Sequence, residues 1–190
     1  MNQDFKDNAE LIASCQDWLA EPLEHAAHAL LQALMNDGKI LLAGNGMHTA
    51  LADVFAAYLV ASFRQKRMNL AAMSLCGNAA LLSRLAENDE SEFVYSAQVQ
   101  ALGKPKDILC VLSADGNCSN LLTAIQAAHE RDMCVLAMTG NNGGKIAALL
   151  RDDDSLINIP HDNPARILEI HLVCIHALCR QIDGVLLEGL

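Results

Sequence analysis

Residues 39–49 read Lys39-Ile40-Leu41-Leu42-Ala43-Gly44-Asn45-Gly46-Met47-His48-Thr49. An apolar run, then an asparagine between two glycines, then a helical pattern spells a buried strand, a tight turn and a helix. The theme recurs. Short apolar runs over residues 69–75, 107–113, 133–139 and 155–159 each lead into a turn, and helical patterns start near Met47, Asn78, Asn117 and Gly144. Strands alternating with helices are the mark of βα units around a parallel sheet, so the expected class is α/β with five strands. The runs at 39–43, 107–113 and 133–139 are nearly continuously apolar, as strands covered on both faces should be.

Outward from this core, residues 2–36 carry leucines and Trp18 at three- and four-residue intervals, and Pro22 is expected to divide them into two helices. A long last helix should run from Pro164 to about Leu187, with Asn163 as its N-cap. We expect a single domain over residues 1–190, with helices over 1–36 and the α/β core over 37–190, since a chain this long buries about 70% of its unfolded surface. Hydrophobic residues make up 52% and the formal charge is -10. That balance disfavours direct binding to nucleic acid or to an anionic membrane, both of which select basic surfaces. The seven cysteines show no C-x-x-C pair and no zinc-site spacing, so neither metal nor cofactor is expected. With no leader-like start and no run near 20 apolar residues, a reduced cytoplasm fits. The triplet Asp152-Asp153-Asp154 reads as a solvated loop.

Ligands of open parallel sheets bind at the carboxyl ends of the strands. This singles out the turn with Gly44, Asn45, Gly46 and His48, and the one with Ser113, Asp115, Gly116 and Asn117. Both open a helix, whose unpaired N–H groups suit a phosphate, although any doubly wound fold needs small residues there.

The two turns, Asn88-Asp89, Met138-Thr139-Gly140 with Gly143-Gly144, and the run from Ala165 to His171 come in an order and spacing that resemble a sugar isomerase (SIS) domain. Over essentially its whole length the chain is similar to the phosphoheptose isomerase group and to its relatives, the initiator-associating proteins of bacterial chromosome replication. The stretch from Tyr95 to Gly103 and Arg131-Asp132-Met133 lean toward the latter. The resemblance implies a three-layer αβα fold whose five-stranded parallel sheet is wound 2-1-3-4-5, flavodoxin-like, with an N-terminal helical pair and assembly as a homotetramer. It also implies a sugar phosphate held by the two turns and Asp89.

Several positions depart from the pattern. Isomerisation through an enediol needs a base and an acid on opposite sides of the sugar. Where the similar isomerases carry a glutamate this chain has Tyr58, and their histidine is His176. Asp53 lies five residues before Tyr58, about 140° around the helix. The family's Asp and Gln near the start of the last helix become Ala165 and Leu168, and its Ser-Thr-Ser-Gly-Asn-Ser turn becomes Ser113-Ala114-Asp115-Gly116-Asn117-Cys118. Its Gly-Ser in the first turn is Met47-His48, where the imidazole could restore one donor. These losses imply a degenerate site and a regulator that associates with the replication initiator, through Leu186 and Leu187 as the matching exposed apolar residues. The alternative is an active sedoheptulose 7-phosphate isomerase that keeps His176.

Overall fold

The apolar runs pair into one sheet. The structure, a computed structural model, describes residues 2–188; Met1, Gly189 and Leu190, at the two ends of the expected domain, lie outside the described residues. In chain order the elements are α1 (Asn2–Met35), β1 (Ile40–Gly44), α2 (His48–Ala61), β2 (Ala72–Ser74), α3 (Ala79–Ala86), a 3-10 turn at Ser91–Phe93 and α4 (Val94–Leu102). There follow β3 (Ile108–Leu112), α5 (Ser119–Glu130), β4 (Cys134–Gly140), α6 (Gly144–Leu149), β5 (Ser155–Ile159) and α7 (Pro164–Glu188). All neighbouring strands are parallel, in the order β2-β1-β3-β4-β5.

Strand side chains alternate between faces, and this alternation divides the core in two. Ile40, Leu42, Ile108, Cys110, Leu112, Leu136 and Met138 pack with α1, α2 and α7. Leu41, Ala43, Leu109, Val111, Val135 and Ala137 pack on the other face with α4, α5 and α6. The expected three layers are thus present.

Three expectations need correction. Residues 2–35 form one helix with Pro22 inside it, not a pair. Proline removes a hydrogen bond to the preceding turn, but the buried stripe Cys15, Leu19, Ala26, Leu30, Ala33 keeps its phase across position 22. Packing on α7 and β5 holds the two halves in line. Secondly, β2 shrinks to three residues at the sheet edge, Ala72, Met73 and Ser74 in register with β1, with one backbone bond beyond each end, Ile40 N to the carbonyl of Ala71 and Leu75 N to that of Leu42. Thirdly, the segment between β2 and β3 holds two helices rather than one.

Helix α7 is long and apolar enough to meet the length and composition of a membrane span, closer to that limit than the sequence suggests. Here it is a core helix, with His171, Ile175, Leu178, Cys179 and Ile182 buried. A buried ion pair ties its far end to the end of α2: Arg67 Nε donates to Asp183 Oδ1 at 2.6 Å, while its other nitrogens donate to the carbonyls of Tyr58, Leu59 and Met68.

Candidate functional site

The turns after β1 and β3 are brought together by an amide pair. Asn45 Nδ2 donates to Asn120 Oδ1 at 2.7 Å, and Asn120 Nδ2 returns a bond to Asn45 Oδ1 at 2.9 Å. The hydroxyl of Tyr95 donates to the carbonyl of Gly44. The beginnings of α2 and α5 are thereby held side by side; in α2 the N–H groups of His48 and Thr49 donate to the carbonyls of Asn45 and Gly46 at 3.0 and 3.2 Å, and in α5 those of Leu121 and Leu122 donate to the carbonyl of Cys118. Two positive helix ends next to each other favour an anion. The sequence hid Asn120, a polar residue one position into a helix, which can be recognised only once its partner is known.

His48 has a different role from the one its position suggested. It is buried at the start of α2, with Nε2 3.1 Å from Nδ1 of the fully buried His171, whose Nε2 is 3.0 Å from the carbonyl of Thr139. A carbonyl only accepts, so His171 carries its proton on Nε2 and receives one from His48 Nε2. Burial lowers His48 to about 4; burial and then the neighbouring His48 lower His171 to about 3. Both rings are neutral near pH 7, and the Nε2 proton of His48 is engaged with His171. The expectation that this imidazole restores a phosphate donor is corrected accordingly.

In the second turn the side chains also hold one another. Ser113 Oγ accepts from Gly116 N at 2.9 Å. The exposed Asp115 accepts through Oδ1 from Asn117 N at 3.1 Å, so its carboxylate occupies one backbone donor of the cradle. Asn117 Oδ1 accepts from Lys145 N at 3.2 Å. Gly116, at φ +70°, lies so close to the Gly143 carbonyl that a Cβ would sit 2.0 Å from it. Only glycine lets the β3 and β4 turns interlock here. Gly46 is also left-handed, at φ +55°, but open to solvent.

At the other end of α2 three rings cluster. Phe63 stacks on His176 with centroids 5.2 Å apart, and Tyr58 meets both edgewise, at 4.9 Å from Phe63 and 5.6 Å from His176. Nε2 of His176 is buried without a hydrogen-bond partner among the described residues. The structure thus brings Tyr58 and His176 into ring contact. Asp89 is exposed after α3 with φ +58°, and among the described residues its carboxylate bonds to neither turn. Leu186 and Leu187 are not the exposed pair expected. Both are half-buried, Leu186 packing toward the core one turn after buried Ile182, and the exposed apolar residue at this end is Val185.

Residues 5–140 match the SIS domain family. A phosphoheptose isomerase from Neisseria gonorrhoeae is 49% identical over 186 residues, covering 98% of this chain and 94% of that protein. The solved structure of a phosphoheptose isomerase from N. gonorrhoeae superposes with a TM-score of 0.91 at 43% identity, covering 96% of each chain. One from Francisella tularensis gives 0.90 at 32% identity, again over 96% of each.

These likenesses overturn the expectation of a degenerate regulator tied to replication initiation, in favour of the isomerase alternative. The expectation gave the departures at Tyr58, Ala165, Leu168 and the turn from Ser113 to Cys118 more weight than the likeness of the whole chain. Loss of one acid or base lowers a rate by about 10² to 10⁴, which leaves room for activity in a scaffold that still positions its substrate.

Proposed function

Because this chain belongs to the SIS domain family and, within it, to the phosphoheptose isomerases, we propose that it interconverts the ketose and aldose forms of a phosphorylated heptose, with sedoheptulose 7-phosphate as the ketose. The observation that carries this reading is the 49% identity over 98% of the chain. In the proposed reaction the adjoining positive ends of α2 and α5 take the phosphate. His176, with an unpartnered Nε2, removes the proton from C1 and returns it at C2 through the enediol. Tyr58, in ring contact with His176, replaces the family's glutamate as a neutral O–H donor to the sugar oxygens. A phenol with a pKa near 10 can donate but is a poor base at neutral pH, so the base role falls to His176.

His48 and Tyr58 stand ten residues apart on α2, about 15 Å. An extended seven-carbon sugar phosphate measures about 10 Å from phosphorus to C1. With a hydrogen bond of about 3 Å at each end, this spacing suits a long sugar phosphate. Assembly as a homotetramer and a place in the cytoplasm belong to the same proposal, the second supported by seven free cysteines.

The deciding experiment is turnover of sedoheptulose 7-phosphate, followed by trapping the aldose product. We expect activity in the wild type and a kcat lower by about 10² to 10⁴ in His176→Asn. A well-folded wild type that leaves the sugar unchanged overturns the proposal.

A further inference from the structure

Among the described residues only two buried side-chain polar atoms lack a hydrogen-bond partner, His176 Nε2 and Asp183 Oδ2. They lie seven residues apart on one face of α7. Beside Asp183 opens a cavity of about 390 Å³ lined by Phe63, Arg64, Arg180, Asp183 and Gly184 among others. Its chemistry is unusual for this chain, whose formal charge is -10. Arg64 and Arg180 are exposed, and among the described residues neither forms an ion pair with a carboxylate. The guanidinium of Arg64 is held 5.5 Å above the ring of Phe63.

We propose that this cavity is a second binding site, separate from the two-turn cradle, for a small phosphorylated polyol. The two guanidiniums take the phosphate, since their planar donors match its oxygens. Asp183 supplies the other half. It is 6% exposed and fixed through Oδ1 to Arg67, which leaves Oδ2 as a rigid acceptor in need of a donor. A buried carboxylate oxygen without a donor is destabilising, and a hydroxyl group answers that need where a bare phosphate does not. Oδ2 is itself shielded from solvent, so the hydroxyl reaches it only when a side chain of the cavity wall moves aside, and the cavity volume falls in the range of small-molecule sites. Phe63 lines the cavity and stacks on His176.

The test is binding rather than turnover, so its outcome is independent of whether the chain is an isomerase. Calorimetry on the full-length protein would use glycerol 3-phosphate as probe, with inorganic phosphate and glycerol as controls. We expect glycerol 3-phosphate to bind at least tenfold more tightly than either control. The double variant Arg64→Gln with Arg180→Gln, both at exposed positions, should weaken it at least tenfold at unchanged melting temperature. Asn120→Ala, which opens the cradle, should leave it unaltered. Asp183→Asn should bring glycerol 3-phosphate down to the affinity of inorganic phosphate. Because that change touches a buried ion pair, Gly184→Leu, at a position with open space for a side chain, serves as a second block of the same cavity. The proposal is overturned if glycerol 3-phosphate does not bind, if it binds no better than phosphate, or if the arginine pair and Gly184→Leu leave binding intact. It is equally overturned if the arginine variant changes the oligomer's mass, since the corner would then be a subunit contact.

Discussion

His48 and His171 carry a consequence for stability that can be worked out in sign. Burial holds both pKa values below the ordinary 6.5, at about 4 and about 3, so below pH 6.5 the unfolded chain binds protons that the folded chain refuses. Their contribution is fully present above pH 6.5 and falls as the pH drops, until it is lost below pH 4 for His48 and below pH 3 for His171. The slope is about 1 kcal/mol per pH unit for each histidine. Urea unfolding at pH 7, 5.5 and 4.5 should show this decline, and His48→Asn with His171→Asn should flatten it; a profile of unchanged slope in that variant would place the acid sensitivity elsewhere. Asp115 bears on ligand affinity instead. Its carboxylate takes the Asn117 N–H that a phosphate could use, and at about 4 Å in water like charges repel by about 1 kcal/mol. Asp115→Ser should tighten sugar-phosphate binding about fivefold by calorimetry, and unchanged affinity would show that the phosphate lies away from this donor.

At the scale of elements, the cradle depends on contacts between turns more than on any one turn. The Asn45–Asn120 pair joins the starts of α2 and α5, and Gly116 packs against Gly143 to join the β3 and β4 turns. Gly116→Ala puts a Cβ against backbone at a left-handed φ, and neither side can yield without moving its turn. It should lower stability by about 2 kcal/mol or more and raise KM steeply. Asn120→Ala is milder. It should raise KM with little change in melting temperature, because a half-exposed amide pair contributes only about 1 kcal/mol. If KM stays constant in both variants, the turns do not hold the phosphate.

For the whole molecule, part of the apolar surface left open lies along α1 and α7. Phe5, Trp18, Val173 and Val185 are exposed, and a groove between the two helices is lined by Ile12, Leu19, Leu23, Ile170 and Val173. Exposed apolar stripes on helices of a well-packed chain fit burial against further copies of the same chain. Light scattering should give a mass near four chains. Val173→Glu, on the groove, should reduce that mass, whereas a monomeric wild type would remove the tetramer from the proposal.

The sequence by itself determined the α/β class, the places of the five strands to within a few residues, the last helix and the two turns that open α2 and α5. These are encoded locally, in apolar period and in Gly, Asn and Ser at strand ends, so neighbours along the chain suffice to read them. The strand order and the three layers came from the resemblance, and the structure bears them out. Only tertiary structure decided that Pro22 lies within one helix, because the contacts of α1 with α7 and β5 outweigh a local break. It alone turned His48 inward onto His171, 123 residues away, and paired Asn45 with Asn120. It also left Asp183 with a bare oxygen beside two arginines. Each of these rests on a partner distant in sequence, and a side chain's hydrogen bonds are set by what the fold places within about 3 Å of it.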